Sequence, residues 1–216
     1  MSAASPNHGP RRLPVTMLVL HYTGMADAGA ALRQLCDPAA GVSAHYLVEE
    51  DGTVHALVAE DRRAWHAGRG FWRGITDVNS ASVGIEIVNP GHAHGYRHFP
   101  QAQIDAVVDL ARAIVGRHGI RPWDVVGHSD IAPDRKADPG ELFPWAELAA
   151  AGIGLWPAPA DGTGDLARIG YAVLPDPLPA RIAFQRRFRP ARLDGAADPE
   201  TLALIAGLDR MLPAGL

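Results

Sequence analysis

Val15-Thr-Met-Leu-Val-Leu20, followed at once by His21, is an unbroken apolar run of strand length, rich in branched side chains. A strand with no polar face belongs inside a sheet covered by helices on both sides, and such strands run mostly parallel. Outward from it, Ser82–Val88 reads as a second strand, closed by Asn89-Pro90-Gly91, and Asp124–Gly127 as a short third one that runs into His128. Ala44–Glu50 and Thr53–Ala59 flank Asp51-Gly52, a pair that supplies the positive φ of a tight hairpin, so an antiparallel pair is added. From Gln101 to His118, Ile104, Val107, Val108, Ala111, Ile114 and Val115 recur at helical spacing, with Pro100 before and Gly119 after. Shorter helices are expected at Ala28–Leu35 and Pro144–Ala151, and a loop at Ser129–Gly140. The expected fold is α/β: a mixed central sheet flanked by helices, with a small C-terminal helical bundle.

That bundle comes from the second half of the 216-residue chain. Gly152–Gly164 holds Pro157, Pro159 and four glycines, a linker composition that places a boundary near residue 158. Beyond it, helical patterns run over Leu166–Val173, Pro179–Phe188 and Pro199–Leu212. A bundle this small has a marginal core of its own, so it is expected to pack on the larger unit and border its cleft, using Phe184, Phe188, Leu202 and Ile205. At the other end, residues 1–14 are polar and carry Pro6, Gly9, Pro10 and Pro14, which reads as a flexible arm. The domain reading is therefore an arm at 1–14, a catalytic-sized unit at 15–157 and a helical unit at 158–216.

Hydrophobic residues make up 47% and charged residues 20%, a composition that supports a packed core and excludes disorder. The net charge of -4 argues against affinity for nucleic acid or anionic lipid, which depends on neutralising phosphates. Cys36 is the only cysteine, which excludes intrachain disulfides and cysteine-rich zinc sites; a metal would have to be held by histidine and carboxylate. No apolar run approaches the roughly 20 residues of a membrane span, and Val15–Leu20 is short for a secretory leader. A cytoplasmic protein is expected.

Two histidines, His21 and His128, stand at the ends of predicted buried strands, and parallel strands would bring both to one sheet edge, where ligands bind. Asp138, ten residues after His128, lies within easy reach of the same edge. Two imidazoles and a carboxylate leave one tetrahedral position open, the pattern of catalytic zinc. With ten histidines in the chain, chance also puts some at strand ends, and composition does not choose His21 over His45 or His66. Glu86 lies inside an apolar strand, where an unpaired carboxylate is costly. A general base held beside metal-activated water repays that cost. A half-exposed strand with Glu86 opposite Val83, Ile85 and Ile87 also accommodates it. Lys136 is the sole lysine against nineteen arginines, and a compact ammonium two residues before Asp138 suits a developing oxyanion. His128-Ser129-Asp130 has the H-x-D spacing of an iron facial triad, but that triad needs a later histidine and His128 is the last. Nucleophile-elbow, phosphate-loop and dinucleotide motifs are absent.

The stretches His21-Tyr22-Thr23, Ala44–His55, Ala64-Trp-His-Ala-Gly68, Asn79–Glu86, Val126-Gly-His-Ser-Asp130 and Arg135-Lys-Ala-Asp-Pro-Gly140 together resemble, in order, the type 2 N-acetylmuramoyl-L-alanine amidases. This AmpD-like family is related to peptidoglycan recognition proteins and T7-type phage lysozymes. The resemblance implies zinc held by His21, His128 and Asp138, with Glu86 as general base and acid and Lys136 stabilising the oxyanion. It implies substrate contacts at Trp65 and His66, with Tyr46 and Asn79 as further candidates. The implied substrate is a muropeptide, expected to be a soluble 1,6-anhydro form from wall recycling. Action on intact sacculi, or non-catalytic recognition of peptidoglycan, are the alternatives. Ala183-Phe-Gln-Arg-Arg-Phe188 with Asp198-Pro-Glu-Thr201 resembles a peptidoglycan-binding helical module.

Overall fold

The computed structural model describes residues 4–173 and 175–215. Its strands are β1 (His8–Pro10), β2 (Met17–Tyr22), β3 (Tyr46–Val48), β4 (Val54–Ala56), β5 (Arg62–Ala64), β6 (Ser82–Ile87) and β7 (Val125–Gly127). The helices are α1 (Ala28–Cys36), α2 (Val78–Ala81), α3 (Gln101–His118), α4 (His128–Ile131), α5 (Trp145–Ala150), α6 (Leu166–Ile169), α7 (Leu178–Phe188) and α8 (Pro199–Arg210). The main sheet has the order β4-β3-β6-β2-β7; β2 runs parallel to β6 and β7, β3 parallel to β6, and only β4 is antiparallel. This is the expected mixed sheet, with the run at Val15–Leu20 near its centre.

Alternation along the strands divides the core into two layers. Leu18 and Leu20 of β2 and Val83, Ile85 and Ile87 of β6 pack against Ile104, Val107, Ala111 and Ile114 of α3. Met17, Val19 and Val126 face the other way and share a cluster with Phe184, Phe188, Leu204 and Ile205 of α7 and α8. The C-terminal helices therefore cover one face of the sheet. Residues 155–160 have no regular structure, and one hydrophobic cluster holds residues from both sides of them. Phe184, Phe188 and Ile205 pack as expected, whereas Leu202 is 44% exposed and takes no part.

The N-terminal segment departs from expectation. Ser5 and Asn7 are buried, and β1 pairs antiparallel with β5. The Asn7 side-chain amide donates to the carbonyls of Asp37 and Val42, and Arg11 donates to those of Ser80 and Glu60. Polar side chains tie this arm down through backbone acceptors, which apolar periodicity cannot register. The segment after β7 also differs: the expected loop opens with the helical turn α4, because Asp130 Oδ2 accepts the Gly127 N–H and caps it. No helix among the described residues is long and apolar enough to cross a membrane.

Candidate active site

Register puts the chemistry in one row. His21 on β2 is the Cα partner of Glu86 on β6, and Leu20 is that of Gly127, so His128 follows one step further on the third parallel strand. Odd parity on β2 and even parity on β6 therefore place His21 and Glu86 on the same face, at the end of the sheet where the strands finish.

Three acceptor atoms converge there. His21 Nδ1, His128 Nδ1 and Asp138 Oδ2 lie 2.9–3.0 Å from one another, and all three residues are buried. The surrounding partners assign the imidazole protons elsewhere. His128 Nε2 donates to the Ala67 carbonyl at 3.0 Å. Ser82 Oγ gives its proton to the Val78 carbonyl at 2.6 Å, so it accepts from His66 Nε2. His66 Nδ1 is then an acceptor and receives the His21 Nε2 proton at 2.9 Å. Both Nδ1 atoms are left as bare lone pairs facing a carboxylate, a cluster that repels itself unless a cation sits among them. Nitrogen and oxygen donors in a 2-His-1-carboxylate set fit a zinc ion with one open position. The hydrogen bonds from His128 to Ala67 and from His21 to His66 are the outer partners that fix ligand tautomers in such sites.

Electrostatics agrees with this arrangement. Burial, reinforced by His128, lowers His21 to a pKa of about 4, so it is neutral and able to ligate at pH 7. Although burial works against ionisation of Asp138, the two histidines hold it well below the usual carboxylate range. Glu86 is pushed well above its ordinary value, first by burial and then by the charge of Asp138, with Lys136 opposing. Its Oε2 is buried with no hydrogen-bond partner among the described residues. Glu86, His128, Asp138, Lys136, Trp65 and His66 all line one cleft of about 540 Å³.

Other candidates are placed differently. Tyr46 pairs with Ile85, not Glu86, so it faces α3 and donates to Glu60 Oε1 at 2.6 Å, away from the cleft. Asn79 Oδ1 accepts the N–H groups of His66 and Ala67, holding the segment that carries His66 without lining the cleft. His66 has both ring nitrogens committed, so only its carbon atoms are free to meet a ligand. His45 is a structural residue: its Nδ1 accepts the Gly84 N–H. Asp130 turns away from the ligand cluster to bond Gly127, Tyr171 and Arg187. No described residue of the C-terminal unit lines the cleft, whose lining ends at Asp138. Tyr22, Thr23, Ser43 and Arg135 line it and were not singled out in the sequence, although Tyr22 and Thr23 directly follow His21.

Two expected outcomes follow from this packing. A Cβ on Gly84 would lie 2.5–2.7 Å from the His66 ring, so Gly84→Ala should cost about 1–3 kcal/mol of stability in denaturant unfolding, and an unchanged midpoint would contradict the packing. The second concerns pH. Burial lowers His21 and His45 to about 4 and His66 well below its ordinary value. The unfolded chain binds protons on these rings below about 6.5 while the fold does not, so metal-free protein should lose stability as pH falls from about 6.5 toward 4. Unfolding midpoints recorded across that window check this, and a flat profile would contradict neutral buried rings.

Known amidases resemble this chain over most of its length. The chain is 41% identical to the N-acetylmuramoyl-L-alanine amidase AmiD of Escherichia coli (strain K12) over 90% of its length and 82% of AmiD. A solved complex of E. coli AmiD with anhydro-N-acetylmuramic acid-L-Ala-D-gamma-Glu-L-Lys superposes with TM-score 0.82 at 38% identity, covering 98% of this chain and 92% of that one. AmpDh3 of Pseudomonas aeruginosa, solved with anhydromuramic pentapeptide, gives TM-score 0.82 at 36% identity over 93% of both chains. The 1,6-anhydro-N-acetylmuramyl-L-alanine amidase AmpD of E. coli (strain K12) is 38% identical over 50% of this chain and 56% of AmpD. The family model for N-acetylmuramoyl-L-alanine amidase matches residues 11–141, from Arg11 on the tied-down arm to just past Asp138. With the likeness to AmiD continuing through the C-terminal helices, the chain belongs to the N-acetylmuramoyl-L-alanine amidase family.

Proposed function

We propose that this chain is a zinc hydrolase that cleaves the amide between the lactyl group of muramic acid and L-alanine of the stem peptide, acting on soluble anhydro-muropeptides. The observation that carries the reading is the trio of bare acceptors on His21, His128 and Asp138 beside the unpartnered Oε2 of Glu86. Zinc bound there would polarise the scissile carbonyl and make water more acidic.

Glu86 takes the proton of the attacking water and returns it to the leaving amine nitrogen, and the burial that raises its pKa favours holding that proton between the two transfers. Lys136, on the cleft wall, offers its ammonium to the oxyanion that forms at the carbonyl. Trp65 gives the substrate an apolar wall. The anhydro sugar is proposed because AmiD and AmpDh3 have been solved with anhydromuramyl peptides. A purely recognising protein would have no use for an orphaned carboxylate beside a complete ligand set. Within this reading the cytoplasmic placement rests on the unpaired thiol of Cys36, and cell fractionation tests it.

The substrate is tested by giving the whole chain both an anhydro-muropeptide and intact sacculi. Faster release of peptide from the soluble compound is expected. Release from sacculi alone would make the protein a wall-polymer amidase. The whole chain is required, because ending it at Trp156 would uncover Met17, Val19 and Trp72, which share a core with the C-terminal helices.

A further inference from the structure

The C-terminal helices never reach the cleft, yet they place a charge two residues from a metal ligand. Asp130 is 0% exposed and Arg187, on α7, is 6% exposed. Arg187 Nη1 donates to Asp130 Oδ2 at 2.9 Å, and the Tyr171 hydroxyl donates to Oδ1 at 2.7 Å. A sealed ion pair is a poor adhesive, since desolvation offsets most of the Coulomb gain, and Phe184, Phe188 and Ile205 already supply apolar contact at this interface.

What the pair holds is the turn α4. Asp130 Oδ2 also accepts the Gly127 N–H at 2.8 Å, clamping the backbone on both sides of His128. The Ser129 N–H donates to the Asp138 carbonyl at 2.9 Å, so the same turn carries one ligand and anchors the main chain of another. Arg187 reaches this region a second way: its guanidinium stacks 4.0 Å from the centre of the Trp145 ring, which lies against Gly127 so closely that a Cβ there would stand 3.2 Å from it.

We propose that Arg187, with Tyr171, is a positioning residue of the metal centre: the C-terminal helices complete the seat of His128 and Asp138 through Asp130, without touching substrate. This rests on the metal-site part of the function proposed above and is independent of its substrate.

The test measures zinc affinity of the whole chain by competition with a chelator, alongside kcat and KM. Arg187→Met should weaken zinc binding by about 10-fold or more, the range seen when outer partners of metal ligands are removed, and lower kcat with KM nearly unchanged. Tyr171→Phe, which removes one hydrogen bond to the same carboxylate, should move affinity the same way by less, and serves if Arg187→Met fails to fold. The double variant Asp130→Asn/Arg187→Met should lose no more than the worse single. Ile205→Ala, which cuts the same interface away from Asp130, should lower Tm with zinc affinity within about twofold of the parent. Unchanged affinity in the folded Arg187 and Tyr171 variants would overturn the proposal. So would an equal loss in Ile205→Ala at matched Tm, since that would be general softening. Absence of amide hydrolysis in the parent chain would sink the functional reading and leave this comparison intact.

Discussion

Glu86→Gln is expected to retain one zinc per chain while turnover falls by about 10²–10⁴-fold, the usual contribution of a general acid–base group. Glutamine keeps the size of the side chain and removes only its ability to hold a proton. The His21, His128 and Asp138 donors are untouched, so metal content separates a lost proton shuttle from a lost ion. The burial that raises the Glu86 pKa comes from its place in the row beside His21, with one oxygen unpartnered. Lys136→Ala should likewise keep zinc, with a loss of about 10²–10³-fold, and Lys136→Arg should restore only part of it because the planar fork meets an oxyanion differently. Near-parental turnover in Glu86→Gln would remove the shuttle.

Asp138→Ala should be more damaging still, abolishing both zinc and turnover. It removes the one negative charge from a buried trio and leaves two imidazole lone pairs 2.9 Å apart with no anion to help hold a dication. His21→Ala and His128→Ala should also strip the ion. Asp130 cannot substitute, since both its oxygens are engaged by Gly127, Tyr171 and Arg187. Metal analysis after dialysis, with turnover on the same samples, checks this. Full occupancy in Asp138→Ala would mean that the third ligand has been misidentified.

The sheet and the convergence of His21 with His128 were legible because they rest on local pattern: strand-length runs at Val15–Leu20 and Asp124–Gly127, each followed by a histidine, imply parallel strands that finish at one edge. The long helix was legible to the residue, from Gln101 to His118. What stayed hidden depends on pairing between distant segments. Tyr46 was misplaced because sequence does not reveal that it pairs with Ile85 while its neighbour Leu47 pairs with Glu86; one step of register sends a side chain to the other face. The ordered arm at Ser5–Arg12 depends on side chains bonding to carbonyls far along the chain, at Leu35, Asp37 and Ser80. The Asp130–Arg187 pair spans 57 residues, and neither residue belongs to an apolar period. The role of His66, which orients His21 by taking its Nε2 proton, follows only from the seat that Gly84 leaves open for it.

The most direct measurement is cleavage of an anhydro-muropeptide by the whole chain after chelator stripping and again after one equivalent of zinc is returned, with products identified by mass. The expected result is no cleavage when stripped. Restoration should release free stem peptide with a new α-amino group on L-alanine and leave the lactyl carboxylate on the sugar. Undiminished cleavage by the stripped protein, or a zinc-loaded protein that leaves this amide intact, would contradict a zinc amidase built on His21, His128 and Asp138.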